Sequence, residues 1–286
     1  MKMKLLFLAA LILLTSAITD NSPVTIYMVG DSTMANRNLA KSPRSKERGW
    51  GMMLGSFFPT DKVVVANHAA SGRSTKSFID EKRWTRVVNQ IKPGDYVFIQ
   101  FGHNDEKKDN PKLYTEPGGT FDDNLRKFVN ETRAKGGIPV LFNSIVRRKF
   151  CQDEAGNFTD SLSDTHGDYL LSPKQIAEEL NVVFIDMNKM THDLVQQMGP
   201  EKSKELYMWA GKKDDTHLNI KGSRVFAGMA IDAVGKKIPE LEKYIRHFDY
   251  VVATDGSGDF FTLDEALKAI PAKKKCTVLV LSLIHI

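Results

Sequence analysis

Short apolar runs alternate with amphipathic segments along most of the chain, and this alternation restricts the possible folds more than any other feature. Five runs rich in Val, Ile, Tyr and Phe have the pattern of buried strands: Thr25–Val29, Val63–Ala66, Tyr96–Phe101, Pro139–Phe142 and Val182–Ile185. Helical spacing appears between them, as in the face formed by Phe121, Leu125, Phe128, Val129 and Thr132. Strands that alternate with helices predict an α/β domain whose parallel sheet is covered on both faces.

Local signals place the ends of several elements. Gly136-Gly137 ends the helix that follows the third strand. Ser172-Pro173 has the pattern of a cap followed by a first-turn proline, which predicts a helix over Lys174–Leu180. A further helix is predicted over about Lys221–Lys236. The polar stretch Thr33–Trp50 is predicted to be a long exposed loop after the first strand.

Composition excludes several classes of protein. The 286 residues are 42% hydrophobic and 26% charged, as in ordinary globular proteins. The formal charge of +5 permits an acidic polysaccharide as substrate without requiring one. No basic stripe with interleaved aromatic residues indicates a nucleic-acid partner. Cys151 and Cys276 lie far apart and lack metal-ligand spacing, so we expect neither a disulfide nor a metal site.

The N-terminus has the pattern of a secretory signal peptide over residues 1–17. Lys2 and Lys4 precede an apolar core of about ten residues, Leu5–Leu14, and small residues follow up to Ala17. That core is too short to cross a membrane comfortably as a helix, and no later stretch is long and apolar enough. We therefore expect cleavage after Ala17 and a periplasmic or secreted protein with no membrane span in its mature part.

Unusual polar residues follow four of the predicted elements. They are Gly30-Asp31-Ser32, Ala69–Ser74, Gly102-His103-Asn104-Asp105 and, near the end of the domain, Asp214-Asp215-Thr216-His217. Ligands of open parallel sheets bind beyond the carboxyl ends of the strands. The sequence therefore predicts that these four groups meet in one site.

The residue types at these positions are those that ester hydrolysis needs. Ser32 is a candidate nucleophile on a tight turn that Gly30 permits, and His217 is a candidate base because imidazole titrates near neutral pH. Asp214 precedes His217 by three residues, so one turn can bring a carboxylate to the imidazole. The backbone N–H groups of Ser32 and Gly72 and the side-chain amide of Asn104 are candidate oxyanion donors.

Other roles for these residues stay open at this point. Asp215 competes with Asp214 as the orienting carboxylate, although the spacing favours Asp214. Asn104 and Gly72 could be loop residues with no part in the chemistry. His103 either touches the substrate or packs beside the site. Contact with a sugar, or else a surface or packing role, is possible for Arg73, Trp50 and Trp209. The remaining histidines are scattered, and we expect them to be ordinary surface or loop residues: His68, His166, His192, His247 and His285.

In this order, the four groups resemble the SGNH, or GDSL-like, hydrolase family over about residues 24–245. The signature residues of that family match Ser32, Gly72, Asn104 and His217, and its Asp-x-x-His block matches Asp214 and His217. The resemblance implies a three-layer α/β/α, flavodoxin-like fold with a five-stranded parallel sheet. The usual Leu after the serine is replaced here by Thr33, a position without a chemical role.

A fuller pattern resembles the rhamnogalacturonan acetylesterase branch of that family. It comprises Gly30–Met34, Gly49-Trp50-Gly51 and Phe101–Asp105. This branch implies a serine esterase that removes acetyl groups from a pectic polysaccharide without a cofactor. The same machinery would serve acetylated xylan, lipids or thioesters, and an inactive pectin-binding module is the non-enzyme alternative. The sequence does not indicate an oligomeric state.

A change of pattern near Arg246–Tyr250 predicts a second unit over residues 248–286. Tyr250–Ala253, Asp255–Phe260 and the helix-like Leu263–Ile270 resemble the first turn of a pectin methylesterase, a parallel β-helix. The resemblance stops at about residue 280, and Ser282–Ile286 does not continue it. So short a unit cannot bury a core of its own.

Overall fold

A five-stranded parallel sheet forms the centre of the fold, as the alternation of apolar runs predicts. The structure is a computed structural model that describes residues 22–43, 45–272 and 274–281. The predicted signal peptide and residues 282–286 lie outside this part. The described strands are β1 (Val24–Gly30), β2 (Val63–Asn67), β3 (Tyr96–Gln100), β4 (Ile138–Phe142), β5 (Phe150–Gln152), β6 (Phe158–Leu162), β7 (Val183–Ile185), β8 (Tyr250–Ala253) and β9 (Val278–Leu281).

The central sheet has the order β2-β1-β3-β4-β7, with all neighbours parallel. The chain goes from β1 to one side and then crosses back to β3 on the other side. The carboxyl ends of β1 and β3 therefore flank the point where the winding direction changes, which is where open α/β sheets bind ligands. Ser32 follows β1 and Asn104 follows β3.

Ten helical segments lie between and after the strands of the sheet. They are α1 (Trp50–Met53), α2 (Thr75–Asp80), α3 (Arg83–Val88), α4 (Thr120–Ala134), α5 (Leu171–Leu180), α6 (Met187–Lys202), the short turn α7 (Trp209–Lys212), α8 (Ile220–Lys237), α9 (Pro239–Glu242) and α10 (Leu263–Ala269) among the described residues. Three short 3-10 helices add to them at Leu54–Phe57, Gly167–Leu170 and Ser203–Leu206.

Alternate side chains of the strands feed two separate apolar clusters, one on each face of the sheet. On one face Met28 and Phe98 pack with residues of α1, α6 and α8, such as Trp50 and Phe226. On the other face Val29, Ile99 and their neighbours pack against helices α2 to α5. The period of two along each strand divides the side chains between the two faces and produces the three-layer α/β/α arrangement that the family resemblance implies.

Three local predictions differ from the structure. The predicted exposed loop Thr33–Trp50 is exposed only in its middle, because Thr33 and Arg48 are buried and the buried Trp50 begins α1. Ser172 does not cap a helix, because a 3-10 turn over Gly167–Leu170 runs directly into α5 and places Ser172 in its first turn, where it is buried. The antiparallel hairpin β5–β6 was not predicted. Its strands are short, and β6 alone includes Thr, Asp and Ser, so apolar periodicity gives no signal.

The segment after residue 248 packs on the sheet domain. Strands β8 and β9 form a parallel pair, and the side chains of Val251, Val252 and Ala253 are buried. The Nε of the buried Arg48 donates to the backbone oxygen of Gly256 at 3.0 Å.

Cys151 and Cys276 are free thiols. The assignment of residues 248–286 to an unfinished β-helix unit stays a prediction.

Candidate active site

The turn after β1 places Ser32 in the lining of a pocket. Asp31 organises this turn, because its Oδ1 accepts hydrogen bonds from the backbone N–H and the hydroxyl of Thr33, both at 2.8 Å. Gly30 has another role than the predicted one. Its φ is not in the left-handed region, but a Cβ there would lie 2.6 Å from the backbone oxygen of Gln100. Glycine is needed for this close approach between β1 and β3.

Ser32, His217 and Asp214 are in hydrogen-bond contact. The Oγ of Ser32 lies 2.9 Å from Nε2 of His217, and Nδ1 of His217 lies 2.7 Å from Oδ2 of Asp214. The second carboxylate oxygen of Asp214 accepts the backbone N–H groups of Thr216 and His217 at 2.8 and 2.9 Å. A single turn thus fixes the carboxylate and the imidazole relative to each other.

The environment of Asp214 determines the direction of these hydrogen bonds. Partial burial acts to raise the pKa of Asp214, but hydrogen bonds from the His217 ring and from the backbone of His217 and Thr216 hold it well below its usual value. Asp214 is therefore a carboxylate and accepts the Nδ1–H of His217. Nε2 is then left to accept the hydroxyl proton of Ser32, which is the arrangement that general-base catalysis requires.

Asp215, the alternative orienting residue, faces another partner. Its Oδ1 lies 2.7 Å from Nη1 of Arg148, and its backbone oxygen accepts the Arg148 N–H at 2.8 Å. These contacts hold Asp215 away from the imidazole and anchor the Asp214–His217 turn to the segment after β4. The structure therefore favours Asp214 over Asp215 as the partner of His217.

Ser32 shares its pocket with Gly72 and Asn104, two other candidate sources of hydrogen-bond donors. Gly72 has φ +76°, a conformation that favours glycine, and its residue is exposed at the pocket edge. Asn104 is 3% exposed, and its Nδ2 donates to the backbone oxygen of Arg73 at 3.1 Å, which leaves its second N–H available. Among the described residues, the backbone N–H groups of Ser32 and Gly72 have no protein acceptor. The pocket of about 360 Å³ thus combines a serine with donors of the type that bind an oxyanion.

His103 both lines this pocket and packs beside it. Its ring lies edge-on to His166, with centroids 4.5 Å apart, and its Nδ1 is 3.4 Å from Oδ2 of Asp31. His166 was predicted to be an ordinary loop histidine, and this prediction is wrong. The side chain of His166 is buried, and its Nδ1 lies 2.9 Å from Oε2 of Glu106.

A chain of ionic contacts that the sequence did not reveal joins the loops of the site. The guanidinium of Arg37 donates to the backbone oxygen of Ser32 at 2.8 Å and to Oγ of Ser71 at 3.0 Å. The same group lies 2.7 Å from Oε1 of Glu47, whose Oε2 lies 2.8 Å from Nζ of Lys212. Burial acts against the ionised form of Glu47, but Lys212 and Arg37 lower the pKa of its carboxyl below the usual value.

Three further candidates for sugar contact do not line the pocket. Trp50 is fully buried and donates through Nε1 to Oε1 of Gln100 at 2.9 Å. The side chain of Arg73 pairs with Glu81 at 3.1 Å. The Trp209 ring is covered by the Arg148 guanidinium, which lies 4.3 Å from its centroid. All three have packing or surface roles in this structure.

Two features are absent from the described residues. No group of three or more His, Cys, Asp or Glu side chains within this part of the chain is placed to hold a metal ion. No helix within residues 22–281, apart from the undescribed positions 44 and 273, is long and apolar enough to cross a membrane.

The chain matches a family model and several known members of that family. Residues 26–228 match the model of the GDSL-like lipase/acylhydrolase family. The chain is 35% identical over 244 residues to the rhamnogalacturonan acetylesterase RhgT of Bacillus subtilis, which covers 82% of this chain and 97% of that protein. It is 29% identical over 250 residues to a rhamnogalacturonan acetylesterase of Emericella nidulans, and this match covers 81% of this chain and 91% of that protein.

Solved structures share the fold. The crystal structure of the YxiM protein of Bacillus subtilis matches 76% of this chain with a TM-score of 0.65 and 29% identity, and the match spans 57% of that longer protein. The acetylxylan esterase Axe2 of Geobacillus stearothermophilus matches 75% of this chain and 95% of its own, with a TM-score of 0.53 and 21% identity. At that identity, the second match speaks for the fold alone.

Proposed function

Since this chain belongs to the GDSL-like lipase/acylhydrolase family, we propose that it is a serine esterase that removes acetyl groups from rhamnogalacturonan. The observation that carries the chemistry is the continuous hydrogen-bonded series from Ser32 Oγ through His217 to Asp214. The substrate class comes from the relatives, which are named rhamnogalacturonan acetylesterases and cover most of the chain.

The proposed reaction has two halves. In the first, Ser32 Oγ attacks the acetyl carbonyl carbon while Nε2 of His217 takes the hydroxyl proton. The N–H groups of Ser32, Gly72 and Asn104 receive the negative charge that develops on the carbonyl oxygen. The bond to the sugar oxygen breaks, the imidazolium returns the proton to that oxygen, and the acetyl group stays on Ser32.

In the second half, water replaces the sugar. His217 takes a proton from water as the oxygen attacks the acetyl carbonyl, and the proton then passes to Ser32 Oγ as acetate leaves. Asp214 stays ionised throughout and stabilises the imidazolium in both halves. Apart from the attacking water, which gives its proton to His217, the residues of the chain supply the proton acceptor and donor that these steps use.

We also propose that the protein acts outside the cytoplasm. The support is the basic, apolar and small-residue pattern of residues 1–17, which lie outside the described structure. Edman sequencing of protein exported from the cell in which it is made tests this proposal. A chain retained in the cytoplasm would contradict it, whereas an exported protein that still begins at Met1 would reject only the expected cleavage after Ala17.

The esterase proposal is tested by acetate release from acetylated rhamnogalacturonan, with acetylated xylan measured in parallel. We expect Ser32→Ala to lower kcat by about 10⁴-fold or more, since removal of the nucleophile stops acyl transfer. Ser161→Ala, at an exposed serine of β6, is the matched control and should retain full activity. Full activity of Ser32→Ala rejects the nucleophile, whereas release from xylan alone rejects the substrate.

A further inference from the structure

One cation at the pocket lacks a carboxylate partner. The other cations that line the pocket or touch its lining residues are each paired: Arg37 and Lys212 with Glu47, Arg73 with Glu81, and Arg147 with Glu106. Lys107 lines the same pocket as Ser32 and His217, but it forms no ion pair with any described residue. Its ammonium group contacts only the neutral Oδ1 of Asn104, at 2.7 Å.

The position of Lys107 is fixed by the turn after β3. Its backbone N–H donates to the backbone oxygen of Asn104 at 3.3 Å, and its side chain returns to the amide of the same residue. An ammonium group has three N–H donors, so two are left after this contact. A positive charge with free donors therefore stands next to Asn104, one of the proposed oxyanion donors, at the mouth of the pocket.

A charge in this place has a natural counterpart in the proposed substrate. Rhamnogalacturonan contains galacturonate, so each repeat of the polymer carries a carboxylate close to the hydroxyl groups that can be acetylated. Arg147, the other cation of the lining, is already held by Glu106 and by Oγ1 of Thr165. Lys107 is thus the described lining residue that can take a substrate carboxylate without first giving up an ion pair.

We propose that Lys107 binds the galacturonate carboxylate of the polymer and makes the enzyme prefer acidic over neutral acetylated glycans. This inference rests on the proposed function, because it specifies how the substrate of that same site is recognised. Lys107 is exposed, and a charge-assisted hydrogen bond from such a lysine strengthens binding without changing the chemical step. The effect should therefore appear in KM for the acidic substrate.

The test varies the charge on the enzyme and on the substrate together. The enzyme variant is Lys107→Gln, which keeps a donor for Oδ1 of Asn104 but removes the charge. The substrates are acetylated rhamnogalacturonan oligosaccharides and the same oligosaccharides with their carboxyl groups methyl-esterified, and released acetate is measured. For each enzyme, the ratio of kcat/KM between the acidic and the esterified substrate is compared.

We expect this ratio to fall about three- to tenfold in Lys107→Gln, mainly through a higher KM for the acidic substrate. Lys107→Arg should restore most of the ratio, because it restores the charge. Lys108→Gln is the matched control, since Lys108 is exposed beside Lys107 but does not line the pocket, and it should leave the ratio unchanged. Added salt should reduce the ratio of the parent enzyme more than that of Lys107→Gln.

Each other outcome overturns the proposal in a recognisable way. An equal loss on both substrates means that Lys107 acts only through Asn104 and does not bind the carboxylate, while the proposed esterase function stands. An unchanged ratio in Lys107→Gln likewise rejects the carboxylate site alone. A parent enzyme that releases no acetate from either oligosaccharide rejects the proposed function, and the carboxylate site with it.

Discussion

His103 and Asp105, two buried residues of the turn after β3, have pKa values that are displaced in opposite directions. Burial lowers the pKa of His103 to about 4, although Asp31 acts against this. Burial also raises the pKa of Asp105 to about 7, against hydrogen bonds from Thr75 and Thr115. At neutral pH the imidazole is therefore uncharged, and the carboxyl group is close to half protonated.

These two pKa shifts make the free energy of unfolding depend on pH in opposite directions. Between about pH 4 and 6.5 the unfolded chain binds the proton of His103 more strongly than the folded chain does, so this residue makes stability rise with pH. Between about pH 4 and 7 the folded chain binds the proton of Asp105 more strongly. The stability that Asp105 contributes is therefore complete at low pH and is lost as the pH rises through 7.

We predict that Asp105→Asn gains stability relative to the parent protein as the pH rises from about 5 to about 8. The gain in the free energy of unfolding should be about 1.4 kcal/mol for each pH unit in this window that lies below the raised pKa of Asp105. The reason is that asparagine cannot ionise in the buried site. Urea unfolding at the two pH values measures the difference. Asp109→Asn, at an exposed position of the same loop, is the control. Parallel stability curves for Asp105→Asn and the parent would show that Asp105 is ionised in the folded state.

At the scale of the elements, the site lies on loops, and ion pairs keep these loops together. Arg37 contacts the turn of Ser32 and the loop of Gly72 directly, and it reaches the segment before Asp214 through Glu47 and Lys212. The side chains of Arg37 and Glu47 are largely shielded from solvent, so their pair is worth more than an exposed one. A displacement of about 1 Å at a catalytic group costs about 10²-fold in rate.

We therefore predict that Arg37→Gln lowers kcat about 10- to 100-fold while KM changes less, because the variant disturbs the alignment of the loops more than substrate binding. Hydrolysis of 4-nitrophenyl acetate and of the polymer measures both constants. Arg37→Lys should rescue only partly, since a lysine cannot reproduce the forked contacts of a guanidinium. Arg126→Gln, which removes an exposed pair with Glu179, is the control. A loss of thermal stability with an unchanged kcat would assign Arg37 a purely structural role.

The strands of the central sheet could be predicted to within one residue at either end, because each is a compact apolar run between polar turns. The start of α5 and the hairpin β5–β6 could not, since neighbouring segments decide these elements and local propensity does not. The same holds within the site. Ser32, Asp214 and His217 stand out through short motifs, whereas the pair of Glu47 and Lys212 joins residues 165 positions apart and leaves no local pattern.

At the scale of the whole molecule, the segment from residue 248 is part of the packing of the esterase domain. Gly256 supplies an acceptor for Arg48, and the Arg48 guanidinium also lies 5.8 Å from the ring centroid of Phe261. The Nη2 of Arg224 reaches the backbone oxygen of Phe248 at 3.4 Å. A groove of about 990 Å³ lies between this segment and α8, and its lining contains none of Ser32, Asp214 or His217.

We predict that a chain ending at His247 remains an esterase but is less stable. Removal of the Gly256 acceptor takes a hydrogen bond from a buried charge, worth about 1.5 to 3 kcal/mol, which corresponds to a melting temperature lower by roughly 4 to 10 °C. Thermal unfolding and hydrolysis of 4-nitrophenyl acetate test both parts. A chain ending at Phe261 keeps the Gly256 contact and should lose less. An unchanged melting temperature in the shorter chain would show that the segment does not support the domain.

The hydrogen bond between Ser32 and His217 joins residues 185 positions apart in the chain. Synthesis proceeds from the N-terminus, so a ribosome adds the proposed nucleophile and the proposed donors at Gly72 and Asn104 long before it adds Asp214 and His217. Helix α8, which covers one face of the sheet, follows later still. On the proposed mechanism, a nascent chain therefore lacks the base for Ser32 until nearly all strands and helices of the sheet domain have been synthesised.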